Sequence, residues 1–235
     1  METLIKRSFF VLASTLTLSS LHAQTADDIV NKYTTAIGGK EVIDNTKSMI
    51  VEATTSVMGN DGDTKTTVLY GKGYKNESNF GGTQIVTCVT PTGGWMINPF
   101  AGAATATAMP DEQLKSQKIN LVLDPLSNYA ANGNKIELLG QDSADYKIKS
   151  SGNGPEVTYF VNMKTYLLDK ITSHVSMGGQ DGDVNISFSD YRKLDNGLLF
   201  PFSENLEVPQ ATLAITVKKV TVNAPVDPTI FDMPK

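Results

Sequence analysis

Ser48-Met-Ile-Val-Glu-Ala-Thr-Thr-Ser-Val57-Met-Gly59-Asn-Asp-Gly62-Asp-Thr-Lys-Thr-Thr-Val68-Leu-Tyr70 holds the first change of period in the chain. Met49, Val51, Ala53 and Val57 alternate with polar residues, and Thr66, Val68 and Tyr70 do so again after a turn-rich segment. A period of two puts successive side chains on opposite faces of an extended chain, so each run reads as a half-buried β-strand. Asp61-Gly62, inside Gly59 to Asp63, is a strong hairpin signal between alternating runs. The expectation is an antiparallel hairpin that turns at this pair.

The same pattern continues downstream. Ile85, Thr87 and Val89 alternate, and from Lys135 strands are predicted at 136–139, 146–148, 157–161, 166–176, 184–191, 198–200, 204–208 and 211–222. Turn residues separate them at Ser151 to Pro155, Gly178 to Gly182 and Asp195 to Gly197. Upstream, Thr25-Ala-Asp-Asp28 reads as a capping box, and Ile29, Tyr33, Ala36 and Ile37 share one helical face up to Gly38-Gly39. Lys40 to Asn45 suits a short further turn. A second helix is expected from Pro110-Asp111, with Leu114 and Ile119 to Leu123 as apolar content, ending at Asp124-Pro125. So few helices cannot supply the crossovers of a parallel sheet. The predicted class is mainly β: a strongly curved antiparallel sheet or partial barrel with two or three short helices. Residues 101–108, a small-residue run without charge, read as a loop suited to a lid.

Ahead of this domain, Lys6-Arg7, the uncharged stretch from Ser8 to Leu18 and Ala23 have the layout of a cleavable secretory signal. The expectation is a signal over residues 1–23 and one domain over 24–235. The chain is acidic, with net charge −5, and lacks the basic cluster that nucleic-acid phosphates require. Cys88 stands alone, so no intramolecular disulfide forms, and its place in an apolar segment reads as structural. No cysteine lies at the signal boundary to carry a lipid anchor.

The chemistry open to the chain is narrow. Beyond the signal the only histidine is His174; there is no Gly-x-Ser-x-Gly elbow, no phosphate-binding loop and no dinucleotide fingerprint. Zinc sites need more His and Cys than this, and Met58 to Asp63 and Met177 to Asp183 lack a calcium ligand run, reading as independent hairpin turns. Carboxylate-pair catalysis stays open, though nothing singles out a pair. No metal, no cofactor and no enzymatic activity are expected. What remains is apolar content on a curved sheet, which either fills an ordinary core or lines a cavity. The candidate cavity residues are Val51, Val68, Tyr70, Trp95, Ile97, Phe100, Leu114, Tyr159, Val161, Ile186 and Phe188, with Phe80 and Phe200 as further aromatics.

Six segments resemble the LolA/LolB-like periplasmic outer-membrane lipoprotein-sorting proteins. They are Ala26 to Gly39, Gly94 to Gly102, Pro110 to Leu114, Leu138 to Asp142, Asp190 to Phe202 and Thr229 to Pro234. The resemblance implies an antiparallel half-barrel whose open side is closed by helices. It implies a periplasmic carrier that hides acyl chains of lipoproteins or related lipids during transport toward the outer membrane. Candidate partners are then inner- and outer-membrane proteins, with a monomer expected and no nucleic acid. Carriers of this family hold the lid with an arginine on an early strand; here the early strands have none, and Arg192 lies late. The absence of an N-terminal cysteine fits a carrier better than an anchored receptor. The alternative is an envelope sensor or protein-interaction module on the same fold.

Overall fold

The computed structural model describes residues 24–177, 180–209 and 211–234; the secretory-signal reading falls on residues 1–23, outside them. The capping box forms as expected. Thr25 Oγ1 accepts from the Asp28 backbone N–H at 3.1 Å, and the Asp28 carboxylate accepts from Thr25 N–H at 3.0 Å. It opens helix α1 (Ala26–Ala36), which buries Ile29, Val30 and Tyr33. A short helix α2 (Lys40–Asn45) leads into the sheet.

Thirteen strands follow: β1 (Ser48–Val57), β2 (Asn60–Leu69), β3 (Gly73–Phe80), β4 (Thr83–Val89), β5 (Gly94–Asn98), β6 (Ala103–Ala108), β7 (Lys135–Asp142), β8 (Asp145–Ser151), β9 (Val157–Asn162), β10 (Leu168–Met177), β11 (Gln180–Lys193), β12 (Leu199–Val208) and β13 (Ala211–Val222). They form one antiparallel, open, curled sheet in the order β6-β5-β4-β3-β2-β1-β13-β12-β11-β10-β9-β8-β7. Hairpin succession builds the two halves, and β1 pairing with β13 joins them. The two free edges, β6 and β7, are therefore consecutive in sequence. Residues 109–134 must pass from one edge to the other, and they carry α3 (Asp111–Gln117) and a 3-10 turn at Lys118–Leu121.

The register sorts side chains onto two faces. On the inner face, which carries α1, Met49 pairs with Val68 and Val222, and Ile148 pairs with Tyr159 and Leu138. Ile29, Val30, Tyr33 and Ile37 of α1 pack there with Met49, Ile148, Tyr159, Val161 and Leu126 into the main core. The crossing segment adds Met109, Leu114 and Leu121 against Val89 and Tyr74. The outer face is largely polar, with one apolar patch. There Val86, Cys88 and Trp95 are covered by Phe231, with Val226 and Ile230 beside it. Trp95 Nε1–H donates to the Phe231 carbonyl at 2.9 Å, and the Cys88 thiol donates to the same oxygen at 3.3 Å. A Cβ on Gly73 would come within 2.4 Å of the Phe231 ring, so the C-terminal strap seats only over glycine.

Three expectations are corrected. The first hairpin turns at Met58-Gly59, not Asp61-Gly62: Val57 pairs with Asn60, and both turn residues have positive φ (51° and 81°). Asp61-Gly62 lies within β2, where a Cβ on Gly62 would meet the Phe80 ring at 2.6 Å. The 101–108 run is not a lid loop. Its backbone pairs with β5 as edge strand β6, an arrangement that small side chains allow without needing burial. The 198–200 and 204–208 strands are one, β12. The turn joining β10 to β11 falls on residues 178–179, outside the described residues.

Candidate functional site

The inner face divides along its length. At the end where α1 lies it is packed, and Leu199 N–H ties the sheet to the Ile37 carbonyl at 2.8 Å. A buried polar node fixes the crossing segment to the helix. The Asp124 carboxylate accepts from the Tyr33 hydroxyl at 3.2 Å, from Leu126 N–H at 3.2 Å and from Ser127 Oγ. Burial pushes the Asp124 carboxyl above its ordinary value, while the hydrogen bonds from Ser127, Tyr33 and Leu126 act the other way. Burial, helped by the nearby Asp124 charge, raises the Tyr33 hydroxyl as well.

Toward the opposite rim, where the β1–β2, β3–β4 and β12–β13 turns lie, no helix among the described residues packs on the inner face. Its residues there stay half-exposed and outside the packed clusters: Val184, Ile186, Leu206, Val208, Leu213, Ile215 and Val57. Their register places them side by side, with Ile186 opposite Leu206, Leu206 opposite Leu213 and Val57 opposite Leu213. The neighbouring wall, from β1 to β3, is hydroxylated instead. Thr55 Oγ1 lies 2.8 Å from Thr64 Oγ1, Thr64 lies 3.0 Å from Ser78 Oγ, and Asn76 donates to Thr66 Oγ1 at 2.8 Å. Glu204 stands on β12 within the aliphatic wall, paired with Phe188 on β11 and Ile215 on β13, so that β13 separates it from the hydroxylated strands. Burial pushes its carboxyl up to about 7; burial likewise raises the Tyr74 and Tyr191 hydroxyls, with the Glu204 charge a lesser cause of each.

The candidate cavity residues separate accordingly. Val51, Val68, Tyr70, Tyr159, Val161, Ile186 and Phe188 share the inner face. Tyr159 and Val161 are core, while Val51, Tyr70 and Phe188 are half-buried against it. Ile186 belongs to the uncovered groove. Leu114, on the crossing segment with Met109, packs against Val89 and Tyr74. Trp95 and Ile97 stand on the outer face with Cys88, and Phe100 is 72% exposed at the β5–β6 turn; the structure does not bring these three to the others. Glu204, Leu206, Leu213 and Ile215 were missed. The alternation of Leu206, Val208, Leu213 and Ile215 about the β12–β13 turn carries the signal for them.

Elsewhere, His174 is exposed on the outer face, 2.9 Å from Asp183. Cys88 is buried, and burial pushes its thiol up to about 11. Arg192 is exposed, pairs with Asp190 at 2.5 Å and lies over the Phe202 ring. Among the described residues no three His, Cys, Asp or Glu side chains gather as a metal site, and no helix is long and apolar enough to cross a membrane.

No protein-family model matches the chain, and no curated protein does. Solved structures match its curled sheet over most of its length. The chain has the LolA-like fold. A domain from Vibrio parahaemolyticus named as outer-membrane lipoprotein-sorting superposes with a TM-score of 0.59 at 11% identity, covering 88% of this chain and 97% of that one. A DUF1329 family protein from Desulfovibrio piger gives 0.58 at 13% identity, covering 89% and 98%. A LolA superfamily protein from Nitrosomonas europaea gives 0.56 at 13% identity, with the same coverage. At such identity the likeness is one of fold, and the LolA-like fold here presents an inner face half filled and half open.

Proposed function

We propose that the chain is a non-enzymatic carrier of the cell envelope. It holds acyl chains of lipoproteins or related lipids against the open half of its inner face and moves them toward the outer membrane. On this reading residues 1–23 export the protein into the periplasm, and residues 24–235 act as one unit, as a monomer. The observation that supports it is the row of half-exposed aliphatic side chains on one curved wall, from Val184 and Ile186 through Leu206 to Leu213 and Ile215. A contiguous exposed apolar patch is unusual on a protein surface without a partner. Each methylene moved from water onto such a wall contributes about 0.8 kcal/mol, enough for a single chain to bind and be released.

The test is native mass spectrometry of the mature protein taken gently from the envelope, followed by solvent extraction. A bound acylated species supports the reading. An apo mass, together with no uptake of added lipopeptide, contradicts it.

One observation favours the second reading, a protein-interaction module. Edge strand β6, Ala-Ala-Thr-Ala-Thr-Ala from Ala103 to Ala108, carries no charge and no proline, whereas exposed sheet edges are commonly blunted by both. A stoichiometric protein partner co-purifying without lipid would replace the carrier reading with this one.

A further inference from the structure

The open rim of the sheet collects the turns Met58-Gly59 between β1 and β2, Gly81-Gly82 between β3 and β4, Pro99 to Gly102 between β5 and β6, and Pro209 at the end of β12. None of them carries a charge, whereas turns at the rim beside α1 carry Lys72, Lys164 and Asp195. The two most exposed large apolar side chains among the described residues both stand on the open rim, Met58 at 79% and Phe100 at 72%. Neither packs into an apolar cluster. Single exposed apolar side chains are ordinary on a protein surface; two at turn tips on one rim, at the mouth of an apolar groove, mark a contact surface. Met58 also holds φ at 51°, a region that a bulky side chain occupies at a cost, and strain of this kind persists where function needs the residue. Behind the tips, Val57, Phe80 and Val208 are half-exposed and carry the apolar surface on into the groove.

We propose that the open rim docks on a lipid bilayer of neutral, zwitterionic surface, with Met58 and Phe100 entering the headgroup layer, so that the groove opens directly onto lipid. The inference rests on the carrier reading for the groove and adds to it the surface with which cargo is exchanged. In the sheet order the bare Gly81-Gly82 turn stands between the two tips, so no apolar tip joins them. A protein partner buries a packed, continuous patch; a fluid acyl layer closes around each separate tip. The turn backbones must keep their polar groups within reach of water, so insertion stops at the boundary of headgroups and acyl chains. Charge selects the kind of bilayer. Anionic surfaces attract clustered lysine and arginine; these turns have none, and the carboxylates of Asp61 and Glu207 flank them.

The test is flotation of the mature protein with large unilamellar vesicles of phosphatidylcholine, alone and with phosphatidylglycerol added. The expected result is binding to the neutral vesicles and weaker binding to the anionic ones. Phe100→Ser and Met58→Asn each weaken it by about tenfold, and the double variant leaves no detectable binding. Met58→Asn relieves the backbone strain, so binding that falls while the melting temperature does not separates docking from folding. Leu139→Ser, in the middle of edge strand β7 at an exposed apolar position, leaves binding unchanged. No flotation with either vesicle, binding that survives the double substitution, or tighter binding to the anionic vesicles overturns the inference. Binding to native membranes that is lost when those membranes are stripped with protease, without binding to pure lipid, assigns the rim to a protein and overturns it too. A fluorescent acyl probe titrated without vesicles reads the groove separately. Probe uptake without flotation leaves the carrier reading standing, and absence of both overturns both.

Discussion

A carboxyl partly withdrawn from water links stability to pH, and Glu204 supplies the sign. Its value in the folded protein, about 7, lies above the ordinary carboxylate value, so the native state holds the proton more tightly than the unfolded chain. Its contribution is therefore complete at pH 4 and lost as pH rises through 7. Glu204→Gln is expected to stabilise by about 1–3 kcal/mol at pH 8 and by much less at pH 5. Thermal melts at the two pH values measure this, and equal shifts at both would contradict it. Gly73 makes a second prediction at this scale. Gly73→Ala drives a methyl into the Phe231 ring and is expected to destabilise by about 1–3 kcal/mol in urea titrations. Gly93→Ala, with open space around its Cβ and ordinary backbone, serves as the near-neutral control.

Among the elements, α1 and the crossing segment stand or fall with Asp124. Asp124→Ala leaves the Tyr33 hydroxyl, Ser127 Oγ and Leu126 N–H without their acceptor. The expected loss is about 2–3 kcal/mol, with faster amide exchange in α1. Unchanged exchange would show that the helix is held by its apolar face alone. The first hairpin offers the opposite direction. Met58 holds φ at 51° with 79% of its surface exposed, so Met58→Asn relieves strain without removing packing and is expected to stabilise by about 0.5–1 kcal/mol. Much of this scale was legible in the chain: the capping box at Thr25 and Asp28, the alternation through Met49 and Val68, and the break at Asp124-Pro125. The turn was not, because Met58-Gly59 and Asp61-Gly62 both suit a hairpin and only cross-strand pairing chooses between them. Gly62 was needed under Phe80 instead. Nor was β6, since Ala103 to Ala108 lacks the branched and aromatic residues that announce a strand.

For the whole molecule, the chain order β6 to β7 forces residues 109–134 to span from edge to edge, and that one connection decides which part of the inner face is covered. Face assignment was the part of the candidate site least readable from sequence. Val86 and Cys88 alternate as regularly as Ile85, Thr87 and Val89, so either set could have faced inward. The C-terminal strap covers the first set, which puts Trp95 and Ile97 outside. Glu204 was passed over because a single carboxylate in an acidic chain carries no sign of burial. The central claim is that the open half of the inner face, and not the outer face, receives acyl chains. It is tested by titrating a fluorescent acyl probe into Leu206→Asp and into Asn205→Asp, neighbours that β12 points to opposite faces. The account predicts that Leu206→Asp weakens binding by about tenfold or more while Asn205→Asp binds like the unmodified protein. Equal affinity in all three proteins would contradict it.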